Sequence, residues 1–123
     1  MTDPNFIILY VDSPVASADF YAELLGKSAL ELSPTFALFA LKSGALLGLW
    51  SKHTVVPAAT ATCGAGELAF SVADNNAVHI LYSDWVRRGL VIAQAPTKMD
   101  FGYTFVASDP DGHRLRVFAP SAS

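Results

Sequence analysis

Apolar residues run almost without interruption from Phe6 to Val11, which predicts a β-strand. Ser13 and Pro14 follow, a hydroxyl suited to cap a helix and an imino acid suited to its first position. Val15, Ala18, Ala22 and Leu25 then recur at helical spacing, and Gly26 is placed to end the helix. Three β-type stretches come next, roughly Ala29 to Leu32, Thr35 to Leu41 and Ala45 to Ser51, separated by Ser33-Pro34 and Ser43-Gly44. The predicted order of this half is βαβββ.

From Lys52 to Gly66 the chain becomes rich in Ala, Thr, Pro and Gly with no consistent period, and reads as a linker. The pattern then restarts. Glu67 to Val72 is a strand, and Asp74 can cap a helix running to about Arg88, with Ala77, Leu81, Asp84 and Trp85 along one side and Gly89 at its end. Val91 to Ala93, Tyr103 to Ala107 and Arg114 to Phe118 supply three further strands; Lys98-Met99-Asp100 falls between two of them as a possible lip. The chain therefore reads as an α+β protein built from two degenerate βαβββ repeats, about 5–51 and 67–119 around a linker at 52–66, in a single domain. Each repeat would lay one face of a curved mixed sheet on its helix and leave the other open. Two repeats must pair to close a cup, within one chain or across a dimer.

Composition narrows the function classes. A hydrophobic share of 52% against 15% charged residues excludes disorder and leaves apolar surface that a second subunit could cover. The net charge of −3 and the scattered basic residues argue against nucleic acid as a partner. The apolar run after Met1-Thr2-Asp3 is too short for a signal core or a membrane span, so the expected location is cytoplasmic, away from the membrane. Cys63 is the only cysteine, which excludes an internal disulfide and a thiolate metal cluster.

Two segments carry a family resemblance. Tyr10-Val11-Asp12-Ser13-Pro14-Val15-Ala16-Ser17-Ala18-Asp19-Phe20-Tyr21 resembles the opening strand and helix of the vicinal oxygen chelate superfamily, which includes glyoxalases, bleomycin resistance proteins and dioxygenases. Ser108-Asp109-Pro110-Asp111-Gly112-His113 resembles its signature turn, and has a local reason as well: Pro110 presets φ, the aspartates can bond nearby backbone, and Gly112 takes a positive φ. In the enzymes of that superfamily four side chains in the cup hold a divalent metal. The resemblance places those positions at Phe6, Gly48, Glu67 and Arg116. Phe6 and Gly48 have no donor, Arg116 is a permanent cation, and Glu67 alone cannot hold a catalytic ion. No metal and no other cofactor is expected.

Strand alternation checks the same positions independently. If Ile7, Leu9 and Val11 pack on the helix, Phe6, Ile8 and Tyr10 face the cup; Leu47 and Leu49 likewise leave Leu46, Gly48 and Trp50. In the second repeat Glu67, Ala69, Ser71, Arg114, Arg116 and Phe118 face it, and Glu67 and Arg116 should pair. Within the superfamily the chain most resembles metal-free antibiotic-binding resistance proteins that sequester phenazines, through Leu49-Trp50-Ser51 and Phe101-Gly102-Tyr103-Thr104-Phe105. That resemblance implies a homodimer, often with exchanged halves, that binds an aromatic small molecule without catalysis. The candidate ligand-binding residues are Trp50, Phe6, Tyr10, Gly48, Glu67, Tyr103 and Arg116, with Trp50 as a stacking wall beside the room left by Gly48, and Trp85 assigned to the core. Two alternatives stand beside this reading. One is a superfamily enzyme of lyase, isomerase or dioxygenase type with an absent or unusual metal site, such as Glu67 with linker histidines. The other is a dimeric module without a small-molecule ligand.

Overall fold

A computed structural model describes residues 4–60 and 66–121; Met1-Thr2-Asp3 and Cys63 lie outside them. The chain divides into two compact units, Met1–Ala61 and Thr62–Ser123.

In the first unit β1 (Phe6–Val11) leads to α1 (Pro14–Leu25), then β2 (Glu31–Leu32), β3 (Phe36–Ala40) and β4 (Leu46–Ser51). The sheet order is β1-β4-β3-β2, with β1 parallel to β4 and the other pairs antiparallel. The predicted cap is present: the Ala16 N–H donates to Ser13 Oγ at 3.2 Å, and Pro14 occupies the first turn. Gly26 ends the helix with its N–H on the Ala22 carbonyl. The buried stripe of α1 is Pro14, Ser17, Ala18 and Tyr21, whereas Val15 is exposed. The predicted stripe is thus rotated, because the small Ser17 and Ala18 allow close approach to the sheet and Tyr21 supplies the largest apolar area. Under the helix lie Ala37 and Phe39 of β3 and Leu47 and Leu49 of β4, all buried. Ile7, predicted to pack on the helix, is exposed instead; it sits on edge strand β1 while α1 lies over β3 and β4.

The second unit repeats the plan with β5 (Glu67–Ser71), α2 (Asn75–Arg87), β6 (Val91–Met99), β7 (Gly102–Ser108) and β8 (Arg114–Pro120), in sheet order β5-β8-β7-β6. Asp74 caps α2, accepting from the Ala77 N–H at 2.9 Å. The helix buries Val78 and Trp85, and Trp85 meets Phe70 and Phe105 edge to face at 5.8 and 5.2 Å, which makes it core as predicted. The Asp-Pro-Asp-Gly turn closes on Asp109, whose Oδ1 accepts from the N–H groups of Asp111 and His113 at 2.9 and 2.8 Å while Gly112 takes φ 85°.

β6 is three times the predicted length. It includes Pro96, which an edge strand tolerates: the register slips between Gln94 and Thr97, so the missing N–H removes no ladder bond. Lys98 and Met99, expected in a lip, are paired in the β6–β7 ladder with Tyr103 and Gly102. The start of the linker is held rather than loose: Lys52 N–H donates to the Val11 carbonyl at 2.8 Å and Val55 is buried.

Candidate functional site

Register decides what each open sheet face carries. In the first unit Tyr10 pairs with Trp50 and Trp50 with Phe36, while Ile8 pairs with Gly48 and Gly48 with Leu38. Phe6, Ile8, Tyr10, Phe36, Leu38, Leu46, Gly48 and Trp50 therefore share the face turned away from α1. Phe6, Ile8 and Tyr10 are each about 40% exposed, so three apolar side chains of one strand are open on this face. Trp50 is half-buried and meets Phe36 edge to face at 6.1 Å. The room expected at Gly48 is taken. A Cβ there would come within 2.9 Å of both Phe36 Cζ and Phe6 Cε1, so these two rings close over the glycine. Gly48 shapes the aromatic wall by letting the rings down onto the backbone, and is itself buried beneath them. Among the described residues the charged group in register with this face is Glu31, at the far edge on β2.

The second unit is different in kind. Glu67 of β5, Arg116 of β8 and Thr104 of β7 face the same side. Arg116 Nε donates to Glu67 Oε1 at 2.7 Å and its Nη2 to Oε2 at 3.2 Å, a two-pronged fork. Its Nη1 donates to Thr104 Oγ1 at 3.2 Å, and the Thr104 hydroxyl in turn donates to the buried Val117 carbonyl at 2.8 Å. The guanidinium lies 5.6 Å from the centre of the Phe101 ring, within cation–π range, and Phe101 meets Phe118 edge to face at 6.0 Å. Hydrogen bonding from Arg116 holds the Glu67 carboxyl below the usual glutamate range, against a smaller opposing effect of burial.

Tyr103 is turned the other way. It pairs with Ala119 on the side of the sheet that packs against α2, and its Oη lies 2.9 Å from His79 Nε2 on that helix. The structure thus separates Tyr103 from Thr104 and Arg116 and removes it from the open face. Sequence reasoning missed Phe36, Thr104 and the stacking of Phe101. Phe105 carried the signal for Tyr103: two residues apart on one strand they must share a face, and Phe105 packs on Trp85.

The positions assigned to metal ligands by resemblance do not fit a divalent ion. Phe6 and Gly48 form the ring-covered wall, and Glu67 and Arg116 close on each other. Among the described residues no three His, Cys, Asp or Glu side chains gather in metal-binding geometry. The linker histidine His53 lies 2.7 Å from Asp12 Oδ1, and hydrogen bonding from His53 lowers the pKa of Asp12. None of the described helices is long and apolar enough to cross a membrane.

Known proteins bear out this architecture. The chain is 28% identical over 117 residues to the phenazine antibiotic resistance protein EhpR of Enterobacter agglomerans, an alignment covering 93% of this chain and 89% of that protein. The solution NMR structure of protein ATC0852 from Agrobacterium tumefaciens superposes with a TM-score of 0.90 at 54% identity, covering 99% of this chain and all of that one. A glyoxalase-related enzyme from Fulvimarina pelagi shares the fold at 23% identity, with a TM-score of 0.83 over 97% of this chain and 88% of its own. Residues 4–117 match the family profile, and the chain belongs to the Glyoxalase/Bleomycin resistance protein/Dioxygenase superfamily.

Proposed function

We propose that this protein binds and sequesters a planar aromatic small molecule, such as a phenazine, without chemical conversion, and so confers resistance. The observation that carries this reading is the open face of the first unit, where Phe6, Tyr10, Phe36 and Trp50 form an uncharged aromatic wall at positions that in a superfamily enzyme would include metal ligands. A stacking wall needs no proton donor and no metal to hold a flat ring. The likeness to a phenazine resistance protein over nearly the whole chain supports the ligand class. The apolar exposure of that wall favours a homodimer, since a surface of this kind gains by being covered. A cytoplasmic location accords with a single cysteine, Cys63, and hence no internal disulfide.

Trp50 tests the reading. Stacking contributes ~0.5 to 1.5 kcal/mol beyond buried area, and loss of the indole forfeits that area as well. Trp50→Ala is expected to weaken phenazine binding in titration calorimetry at least about tenfold, equivalent to ~1.4 kcal/mol, while Trp50→Phe keeps most of the affinity. Equal affinity for wild type and Trp50→Ala, with both folded, would refute the stacking role.

A further inference from the structure

The row through Gly48 runs the full width of the first unit's sheet. Ile8 pairs with Gly48, Gly48 with Leu38 and Leu38 with Glu31, so these four positions stand side by side on the face turned away from α1. Neighbouring strands lie about 4.8 Å apart, which puts Glu31 roughly 10 Å across the sheet from Gly48, the length of a three-ring aromatic. Along β3, Leu38 is two residues from Phe36, whose ring lies over that glycine. Glu31 is exposed, and its carboxylate makes no hydrogen bond or ion pair among the described residues.

The rings of this face carry the same sign of field. The flat side of an aromatic ring is the negative part of its quadrupole, which attracts a cation and disfavours an anion. Phe6, Tyr10, Phe36 and Trp50 all belong to the face, and none of the strands β1 to β4 contains a Lys, Arg or His to offset them. Lys27 places its ammonium on the Ala40 carbonyl at 2.7 Å, at the end of β3 away from Phe36. Lys52, just past β4, has the carboxylate of Asp12 near it. Ring faces and one unpaired carboxylate in register therefore act together, and both favour positive charge.

Resting on the reading that this face stacks a planar aromatic molecule, we infer that the preferred ligand is cationic. It is a flat polycycle carrying a quaternised ring nitrogen or a protonated amine. Glu31 faces that charge and turns anionic aromatics away.

Titration calorimetry on the full chain with phenazine, N-methylphenazinium and a phenazine carboxylate tests this, since the three share a flat ring system and differ in charge. Wild type is expected to bind the cation at least about fivefold tighter than phenazine, and the carboxylate at least about fivefold weaker. Glu31→Gln keeps the side-chain shape and should narrow each gap about threefold while leaving phenazine itself within about twofold. Added salt, which shortens the reach of an exposed charge to about 3 Å at about 1 M, should narrow the gaps in wild type and leave those of Glu31→Gln unchanged. Glu31→Lys, shown folded by circular dichroism, should favour the carboxylate over the cation, a reversal that a purely structural role would not produce. Equal affinity of wild type for the three probes, or a preference for the cation undiminished in Glu31→Gln, would overturn this inference and leave the binding reading standing. Failure of all three to bind wild type would overturn both.

Discussion

Where the first unit lays the rings of Phe6 and Phe36 over Gly48, the second sets the guanidinium of Arg116 beside Phe101 and locks it to Glu67. The two units share strand order, helix placement and N-terminal capping, yet one open face is an aromatic wall with Glu31 only at its far edge and the other carries an ion pair at its centre. The difference shows where a repeat is constrained. Helix-facing positions must be apolar in both units, because burial of Phe39, Leu47 and Leu49 in one and of Phe105, Leu115 and Val117 in the other is what joins helix to sheet. Open-face positions answer to no helix and can diverge toward a ligand.

If the cores are equivalent, truncating each should cost about the same. Trp85→Ala and Phe39→Ala are both expected to destabilise the chain by ~3 to 5 kcal/mol in chemical unfolding; a cost confined to one of them would break the equivalence. The glycines should separate the units. At Gly102, φ is 151° and an added Cβ would lie 2.0 Å from the Ala119 carbonyl oxygen, backbone that cannot move aside. Gly102→Ala should cost about 3 kcal/mol, whereas Gly48→Ala meets only ring edges that can tilt and should cost about 1 to 2 kcal/mol, both read from denaturation midpoints.

A smaller effect attaches to the ion pair. Replacing Glu67 with Gln should cost about 1 kcal/mol at neutral pH, since the pair is partly solvated. The folded-state pKa of Glu67 is depressed, so its contribution is present above the unfolded-state value and is lost as pH falls through the folded one. Wild type should therefore lose its advantage over Glu67→Gln in the acid range below the ordinary glutamate pKa, as followed by melting temperature against pH; a difference constant with pH would show that Glu67 contributes through shape alone. Smallest of all is the Asp12–His53 contact, exposed at both ends, and His53→Ala should leave the melting temperature unchanged within error.

Much of this was legible in the sequence because caps and alternation are local. Ser13, Asp74 and Asp109 form the bonds their positions predict, and the cup-facing parity of Glu67 and Arg116 brings them into the pair expected of them. What escaped needs pairing information. The slip in β6 around Pro96 places Gln94 in the row of Arg116, and no count along the chain alone finds it. The filling of the space above Gly48 depends on Phe36, which reaches β4 through an antiparallel register set by the Ser43-Gly44 turn. Tyr103 shares the helix-side parity of Phe105 and lies against His79, so it stands apart from Glu67 and Arg116.

In each unit the positions that the superfamily resemblance assigns to metal ligands carry groups that do not fit a divalent ion: rings closed over Gly48 in the first, the Glu67–Arg116 pair in the second. Titration calorimetry with a phenazine on protein stripped by chelation, and again after addition of nickel, manganese or zinc, tests it most directly. Affinity is expected to be the same in all preparations, with no stoichiometric metal retained and no glyoxalase activity gained. Tight one-to-one metal uptake, with binding or turnover that appears only in the loaded protein, would contradict the account.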